Sequence, residues 1–207
     1  MNKYWNIIFY SVIINKNYKG TQMKGNLYII AGCSGVGKGT LLNLFLQQNP
    51  NIKLSISATT RSPREGEKDG VNYFFVSKED FKKSVDNNEF LEWAEFSGNY
   101  YGTKKSFVEK TLSQGIDLIL EIEVQGAKQV KEKMPEAISI FIMPPSIEEL
   151  EARLRGRHTE SEEAIQKRLH QVNREIEAGK NFDYKIVNDK LEQALSDMQA
   201  IFQQERK

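Results

Sequence analysis

A glycine-rich loop between an apolar run and a helical pattern constrains the fold of this chain more than any other feature. The loop reads Gly-Cys-Ser-Gly-Val-Gly-Lys over residues 32–38 and fits the pattern G-x-x-x-x-G-K. It follows an apolar run at residues 27–30, typical of a buried strand, and precedes a helix predicted over residues 38–48. Glycines let backbone N–H groups surround an anion, and the helix N-terminus adds positive potential. The loop therefore predicts a nucleoside triphosphate site in an α/β fold.

The loop supplies nearly all of the predicted ATP-binding residues. These are Gly32, Cys33, Ser34, Gly35, Val36, Gly37, Lys38, Gly39 and Thr40. Lys38 is expected to bind the β- and γ-phosphates and to act in catalysis. The residue after this lysine is usually Ser or Thr, whose hydroxyl binds Mg²⁺, but here it is Gly39. We therefore expect either Thr40, or water and nucleotide phosphates alone, to complete the shell of a Mg²⁺ ion that arrives with ATP.

The charge and the cysteine content argue against a general nucleic-acid binder and against an internal disulfide. The net charge of +1 argues against a general nucleic-acid binder, which would carry a basic excess. The one cysteine, Cys33, cannot form an internal disulfide, which favours a reducing compartment. Cys33 is interpreted as a small residue of the loop, with an activated thiol at the helix N-terminus as the alternative. We expect a cytoplasmic protein.

The first 24 residues precede the first predicted strand and have a different character. Residues 4–14 are mostly apolar but reach only about half of the roughly 20 residues that a membrane-spanning helix needs. No small-residue cleavage site follows them. We expect a poorly ordered extension, or a true start at Met23, and no membrane span. A short membrane-surface or targeting segment is the alternative.

The rest of the chain alternates between strand-like and helix-like stretches. Further buried strands are predicted at residues 117–122, 138–143 and 184–187, with helical patterns between them. This order is typical of a mainly parallel sheet flanked by helices. The aromatic, β-prone stretch 71–102 predicts a small mixed-β insertion, and the charged helical stretch at about 148–179 predicts a lid.

These stretches define one expected domain over residues 25–207. The core of this domain is expected at residues 25–57, 104–147 and 180–207. The first insertion, the GMP-binding region, is expected at residues 58–103, and the lid at about residues 148–179.

Two arginines in the first insertion suggest how a phosphate acceptor is held. Arg61 and Arg64 flank a Ser-Pro pair, and together they form a double fork suited to one phosphate group. A solvated basic loop is the alternative, because charged surface loops are common.

Four motifs in series resemble those of guanylate kinases. They are Arg-Ser-Pro-Arg-Glu-Gly-Glu at residues 61–67, Gly-x-x-Tyr at 70–73, Glu-Phe-Leu-Glu-Trp-Ala at 89–94 and Gly-Asn-Tyr-Tyr-Gly-Thr at 98–103. The resemblance runs from about residue 25 to the C-terminus. It implies a P-loop kinase that transfers the γ-phosphate of ATP to GMP, with use of dGMP left open.

The resemblance also implies a set of GMP-binding residues. They are Ser57, Arg61, Arg64, Tyr73, Glu92, Tyr101, Thr103, Glu121 and Glu123. The two arginines and the two tyrosine hydroxyls would hold the phosphate, with Arg61 also counted as catalytic. Ser57, Glu92 and Thr103 would contact the guanine. The resemblance implies that Glu121 and Glu123 contact a water network beside the metal and the guanine or ribose. The family often has Asp at these two positions, so the resemblance implies these contacts less firmly.

The chemistry of Glu92 agrees with the resemblance. Guanine presents two adjacent donors, N1–H and the 2-amino group, and one carboxylate can accept both. Adenine has an acceptor at N1 and would leave that carboxylate unpaired, a mismatch of about several kcal/mol in a buried site. The alternatives are an outward-facing strand residue for Glu92 and aromatic packing for Tyr73 and Tyr101.

Further residues are implied near the ATP phosphates and the adenine. The resemblance places Arg153, Arg157 and Arg168 over the phosphates as catalytic lid residues and Asn188 near the adenine. His158 stands where the family usually has Gly. The alternative is that these arginines pair with glutamates on helix faces.

Two other functions remain open at this stage. One is a kinase for a different nucleoside monophosphate, because Gly-Lys-Gly-Thr at residues 37–40 also occurs in adenylate kinase-like loops. The other is a catalytically inactive guanylate kinase-like module that binds proteins. The motifs between Arg61 and Thr103 argue against the first, and the intact loop lysine argues against the second.

Overall fold

The fold is described from a computed structural model that covers residues 25–156 and 162–206. In these ranges the strands are Leu27–Gly32 (β1), Lys53–Leu54 (β2), Ala58–Thr59 (β3), Phe74–Phe75 (β4), Phe90–Phe96 (β5), Asn99–Lys104 (β6), Leu118–Glu121 (β7), Ile138–Met143 (β8) and Tyr184–Val187 (β9). The helices are Lys38–Gln48 (α1), Lys78–Asp86 (α2), Lys105–Ser113 (α3), Val124–Lys133 (α4), Ile147–Arg155 (α5), Glu162–Gly179 (α6) and Leu191–Glu205 (α7).

The larger sheet is parallel throughout and holds β1 at its centre. Its strand order is β2-β7-β1-β8-β9, and every residue of β1 is buried. A strand buried on both faces explains why this stretch reads as a continuous apolar run. In such sheets ligands bind at the carboxyl ends of the strands. The glycine-rich loop leaves β1 at that edge, as the sequence predicted.

The smaller sheet lies in the first insertion and is mixed. Its order is β4-β3-β6-β5, with β3 and β4 parallel and the other neighbours antiparallel. It has a separate aromatic cluster, in which Phe81 stacks on Phe90 and Tyr100 with ring centroids 4.4 and 5.5 Å apart. The predicted fold class, a mainly parallel α/β sheet with a small mixed-β region, is confirmed.

Helices α5 and α6 pack against the main core in the described residues. Leu150, Leu154 and Val172 are buried in the same cluster as β1. Leu154 lies so close to the glycine-rich loop that a Cβ added at Gly35 would come within 2.7 Å of its side chain. Helix α5, which begins in the segment predicted as a lid, therefore contacts the loop through an apolar side chain. Within the described ranges no helix has both the length and the apolar character needed to span a bilayer.

Candidate active site

A cavity of about 350 Å³ lies between the two sheets. It is lined by residues of the glycine-rich loop, the smaller sheet and the carboxyl end of β7: Lys38, Ser57, Tyr73, Glu92, Ala94, Phe96, Tyr101, Glu121, Ile122, Glu123 and Gly126. The cavity thus brings the predicted phosphate-binding lysine together with most of the residues predicted to bind GMP.

Glu92 is the buried carboxylate of this cavity. Glu92 is only 4% exposed, and its Oε1 accepts a hydrogen bond of 2.6 Å from the Thr103 hydroxyl. Burial raises the pKa of Glu92, and the Thr103 hydrogen bond partly opposes that effect. A solvent-facing strand residue, the alternative for this position, would show neither property. Glu92 and Thr103 therefore form a buried polar pair, of which Glu92 lines the cavity.

An irregularity in β5 aims Glu92 at the cavity. The pairing of β5 with β6 shifts register between Phe90 and Glu92. Phe90 packs in the aromatic cluster of the smaller sheet, whereas Leu91 packs in the main core. β-Bulges redirect side chains in this way and are frequent beside active sites. The strand thereby serves two cores and still presents a carboxylate to the space between them.

Tyr73 and Tyr101 form an aromatic wall of the same cavity. Their rings meet edge to face with centroids 6.1 Å apart. Burial raises the pKa of Tyr73, so its hydroxyl stays protonated at neutral pH and can donate to an anion. The predicted aromatic packing is present, and the same two side chains line the cavity. Packing and ligand contact are therefore compatible roles for both tyrosines.

The two predicted phosphate-binding arginines differ in their positions. Arg61 lies over the Tyr73 ring, 5.4 Å from its centroid, and its Nη2 donates to Glu67 Oε1 at 2.8 Å. Arg64 is exposed, and its backbone N–H donates to Glu67 Oε2 at 2.7 Å. Neither arginine is among the described residues that line the cavity. Glu67, which the sequence reasoning did not single out, therefore organises the loop that carries both.

A buried amide bonds to the backbone of the glycine-rich loop. Gly35 and Gly37 adopt φ values of 86° and 90°, which side-chain-bearing residues rarely adopt. Asn188 Nδ2 donates to the Val36 carbonyl oxygen at 2.8 Å, and the residue is 6% exposed. Its own backbone N–H donates to the Met143 carbonyl at the end of β8. Asn188 thus ties the loop to the sheet.

A second cavity, of about 520 Å³, lies on the other side of the loop. Its lining includes Thr40, Asn188 and Leu191. Asn188, which the resemblance implies near the adenine, thus lines a cavity together with the glycine-rich loop. Thr40 also lines this second cavity. It is not among the described residues that line the first cavity, where Lys38 and Glu121 lie.

Glu175 on α6 reaches the loop, which sequence reasoning did not predict. Its Oε2 accepts a hydrogen bond of 3.3 Å from the Ser34 backbone N–H, and the residue is 7% exposed. Burial raises the pKa of Glu175.

Burial, reinforced by Glu175, also raises the pKa of the Cys33 thiol to about 12. Cys33 therefore stays protonated, and the activated-thiol alternative is wrong.

The predicted lid arginines lie wholly or partly outside the residues that the structure describes. Arg157 and His158 lie outside the described residues, as do the side chains of Arg153 and Arg168. The adjacent Arg155 donates to Glu151 and Glu162, both at 2.7 Å. Pairing with helix-face glutamates therefore occurs here, through an arginine that the sequence analysis did not assign a role.

The described residues contain no cluster of three His, Cys, Asp or Glu that could hold a metal on its own. Glu121 and Glu123 do line the cavity beside Lys38. Mg²⁺ usually keeps several waters and binds through one or two carboxylates plus substrate phosphates. The residues present therefore fit a Mg²⁺ ion that is held mainly by a nucleotide.

The chain is similar over most of its length to proteins of described activity. The family model described as "Guanylate kinase" matches residues 24–205. The guanylate kinase of Synechocystis sp. is 55% identical over 175 residues, covering 84% of this chain and 92% of that protein. That of Halalkalibacterium halodurans is 51% identical over 178 residues, covering 86% and 87%. The crystal structure of guanylate kinase from Anaplasma phagocytophilum superposes with a TM-score of 0.71 at 34% identity, covering 89% of this chain and 88% of that one.

Proposed function

The chain belongs to the guanylate kinase family, and we propose that it transfers the γ-phosphate of ATP to GMP in the cavity shared by Lys38 and Glu92. The observation that carries this proposal is their common cavity, because one residue suits a phosphate donor and the other a guanine acceptor. Phosphoryl transfer needs the two substrates aligned and the moving charge stabilised, with little covalent chemistry from the protein.

Glu92 is the proposed reader of the guanine base. Its carboxylate would accept the N1–H and 2-amino hydrogens of guanine, while the Thr103 hydroxyl, 2.6 Å from Oε1, holds it in orientation. Ser57, Glu121 and Glu123 line the same cavity and would contact the base or ribose. A buried carboxylate left unpaired by adenine costs far more than a lost apolar contact, so this arrangement favours GMP over AMP.

The GMP phosphate is proposed to lie against the aromatic wall. The Tyr73 and Tyr101 hydroxyls would donate to it, and the Arg61 guanidinium already lies over the Tyr73 ring. The ion pair of Arg61 with Glu67 would be exchanged for the phosphate as GMP enters. Arg64 would join from the exposed side of the same loop, giving the double fork that bidentate phosphate recognition uses.

The ATP phosphates are proposed to bind the glycine-rich loop. Its backbone N–H groups and Lys38 would stabilise the negative charge that spreads over the transferring phosphoryl group. Asn188 supports the loop through its hydrogen bond to the Val36 carbonyl. Arg153, Arg157 and Arg168 are proposed to add positive charge from the lid. Closure of that segment would also exclude water from the transfer.

Mg²⁺ is the proposed cofactor. When bound with ATP it would neutralise charge on the β- and γ-phosphate oxygens. The Thr40 hydroxyl is the proposed protein ligand, with water as the other way of completing the shell. Glu121 and Glu123 would hold water molecules beside Lys38, and all three line one cavity.

The test is a phosphoryl-transfer assay with ATP and Mg²⁺ in which GMP, AMP, dTMP and UMP are offered in turn. We expect ADP and GDP from GMP and little turnover of the others. A Lys38→Ala variant should lose about 100-fold or more in kcat. Lys53→Ala, which removes an exposed lysine on β2, serves as the matched control and should match wild type. Turnover of AMP but not GMP, or full activity in Lys38→Ala, would overturn the proposal.

A further inference from the structure

One face of α4 runs along strand β5, beside the buried carboxylate. Gly126, Gln129 and Lys133 lie three and four positions apart, which places them on the same side of the helix. Each touches a different residue of β5: Gly126 approaches Glu92, Gln129 bonds to Trp93 and Lys133 bonds to Leu91. The helix therefore contacts the guanine-reading residue and both of its chain neighbours.

Gly126 leaves the space in which the Glu92 carboxylate sits. A Cβ added there would lie 2.7 Å from Glu92 Oε2 and 3.4 Å from Glu92 Cδ. Gly126 is buried in the first turn of the helix. Close approach of the carboxylate gives a physical reason for glycine at this position. An added methyl group would be relieved most easily by movement of the Glu92 carboxylate, the far end of a flexible side chain.

Gln129 fixes the backbone next to Glu92. Its Oε1 accepts from the Trp93 N–H at 3.2 Å, and its Nε2 donates to the Trp93 carbonyl at 2.8 Å. Lys133 Nζ donates to the Leu91 carbonyl at 2.6 Å on the other side. These bonds join α4 to a strand of the smaller sheet. They also stabilise β5 close to its irregularity, where the regular ladder is interrupted.

We propose that Gly126 and Gln129 are positioning residues that set the Glu92 carboxylate for the 2-amino group of guanine. Thr103 holds Oε1, so the location of Oε2 depends on the gap at Gly126 and on the height of β5 set by Gln129. The 2-amino group is what distinguishes GMP from IMP, which keeps N1–H. The inference rests on the proposed function, because the position of Glu92 matters only if Glu92 reads the base.

The experiment compares kcat/KM for GMP and for IMP, together with KM for ATP. The variants are Gly126→Ala, Gln129→Ala and the control Lys128→Ala, an exposed neighbour on the same helix. We expect the first two to lower the GMP-to-IMP ratio by about tenfold, the size of one hydrogen bond to a charged group, with KM for ATP unchanged. The control should keep the wild-type ratio.

Three results would overturn the inference. The first is an unchanged kcat/KM for both GMP and IMP in both variants. The second is an equal loss with GMP and IMP, which indicates damage to packing rather than to base reading. If Gly126→Ala fails to fold in a thermal melt, Gln129→Ala alone decides, since it only removes atoms. The third is a wild type that does not phosphorylate GMP, which overturns the proposed function as well and is seen before any variant is compared.

Discussion

The hydroxyl of Thr103 donates a 2.6 Å hydrogen bond to the carboxylate of Glu92, and both residues are almost fully buried. They face each other across the β5–β6 ladder. A buried carboxylate with one oxygen held by a neutral donor is an expensive arrangement for the fold. Its cost is offset if a ligand brings further donors, as guanine does.

Glu92→Gln should reduce use of GMP selectively. The glutamine amide has one acceptor oxygen and one NH2 donor. Its NH2 group would therefore face one of the two N–H donors of guanine and repel it. We expect kcat/KM for GMP to fall by about 100-fold or more, with little change in KM for ATP. Steady-state kinetics with each substrate varied measures this. Glu95→Gln, an exposed change of the same kind on the same strand, should behave as wild type. Equal losses in both variants would contradict the role given to Glu92.

The same variant should change how stability depends on pH. Burial raises the folded-state pKa of Glu92 above its ordinary value, so the folded protein binds more protons there than the unfolded chain. The folded state is therefore penalised as pH rises from the ordinary glutamate pKa through the raised one. Glu92→Gln removes this penalty and should melt higher than wild type at neutral pH, with the difference shrinking at acidic pH. Thermal melts of both proteins across that range provide the test. A difference that grows toward acid would be the wrong sign.

Local sequence patterns predicted the elements that depend on local chemistry. The glycine-rich loop, the buried strands and the aromatic insertion each follow from periodicity or turn residues, and they appear where expected. The roles of Glu67, Glu175 and Gln129 were not anticipated. Each acts through a side-chain contact that leaves no periodic trace: Gln129 bonds to a strand 36 positions away, whereas Glu67 bonds to two residues of its own loop. Arg61 illustrates an intermediate case, since its motif was recognised but its ion pair with Glu67 was not.

Asn188→Ala should weaken ATP binding without affecting GMP. The change removes the donor to the buried Val36 carbonyl, and an orphaned buried acceptor costs about 1–3 kcal/mol. If the loop relaxes to satisfy that group, KM for ATP should rise by about tenfold while KM for GMP stays constant. Asn173→Ala, on the exposed face of α6, is the control. An unchanged KM for ATP would show that Asn188 does not support the loop.

Thr40→Ala tests the proposed metal ligand. If the Thr40 hydroxyl binds Mg²⁺, its removal should raise the Mg²⁺ concentration needed for half-maximal activity by about tenfold, as loss of one ligand interaction would. Activity measured across a Mg²⁺ titration at saturating ATP and GMP reports this. An identical titration curve for variant and wild type would rule out the threonine and leave the shell to water and phosphates.

The central claim is that the cavity between the two sheets is the GMP site, with Glu92 reading the base. A crystal structure with GMP bound tests it most directly. We predict the guanine N1–H and 2-amino groups within hydrogen-bond distance of the Glu92 carboxylate, and the phosphate at the hydroxyls of Tyr73 and Tyr101. GMP bound elsewhere, or bound in this cavity with its base turned away from Glu92, would contradict the claim.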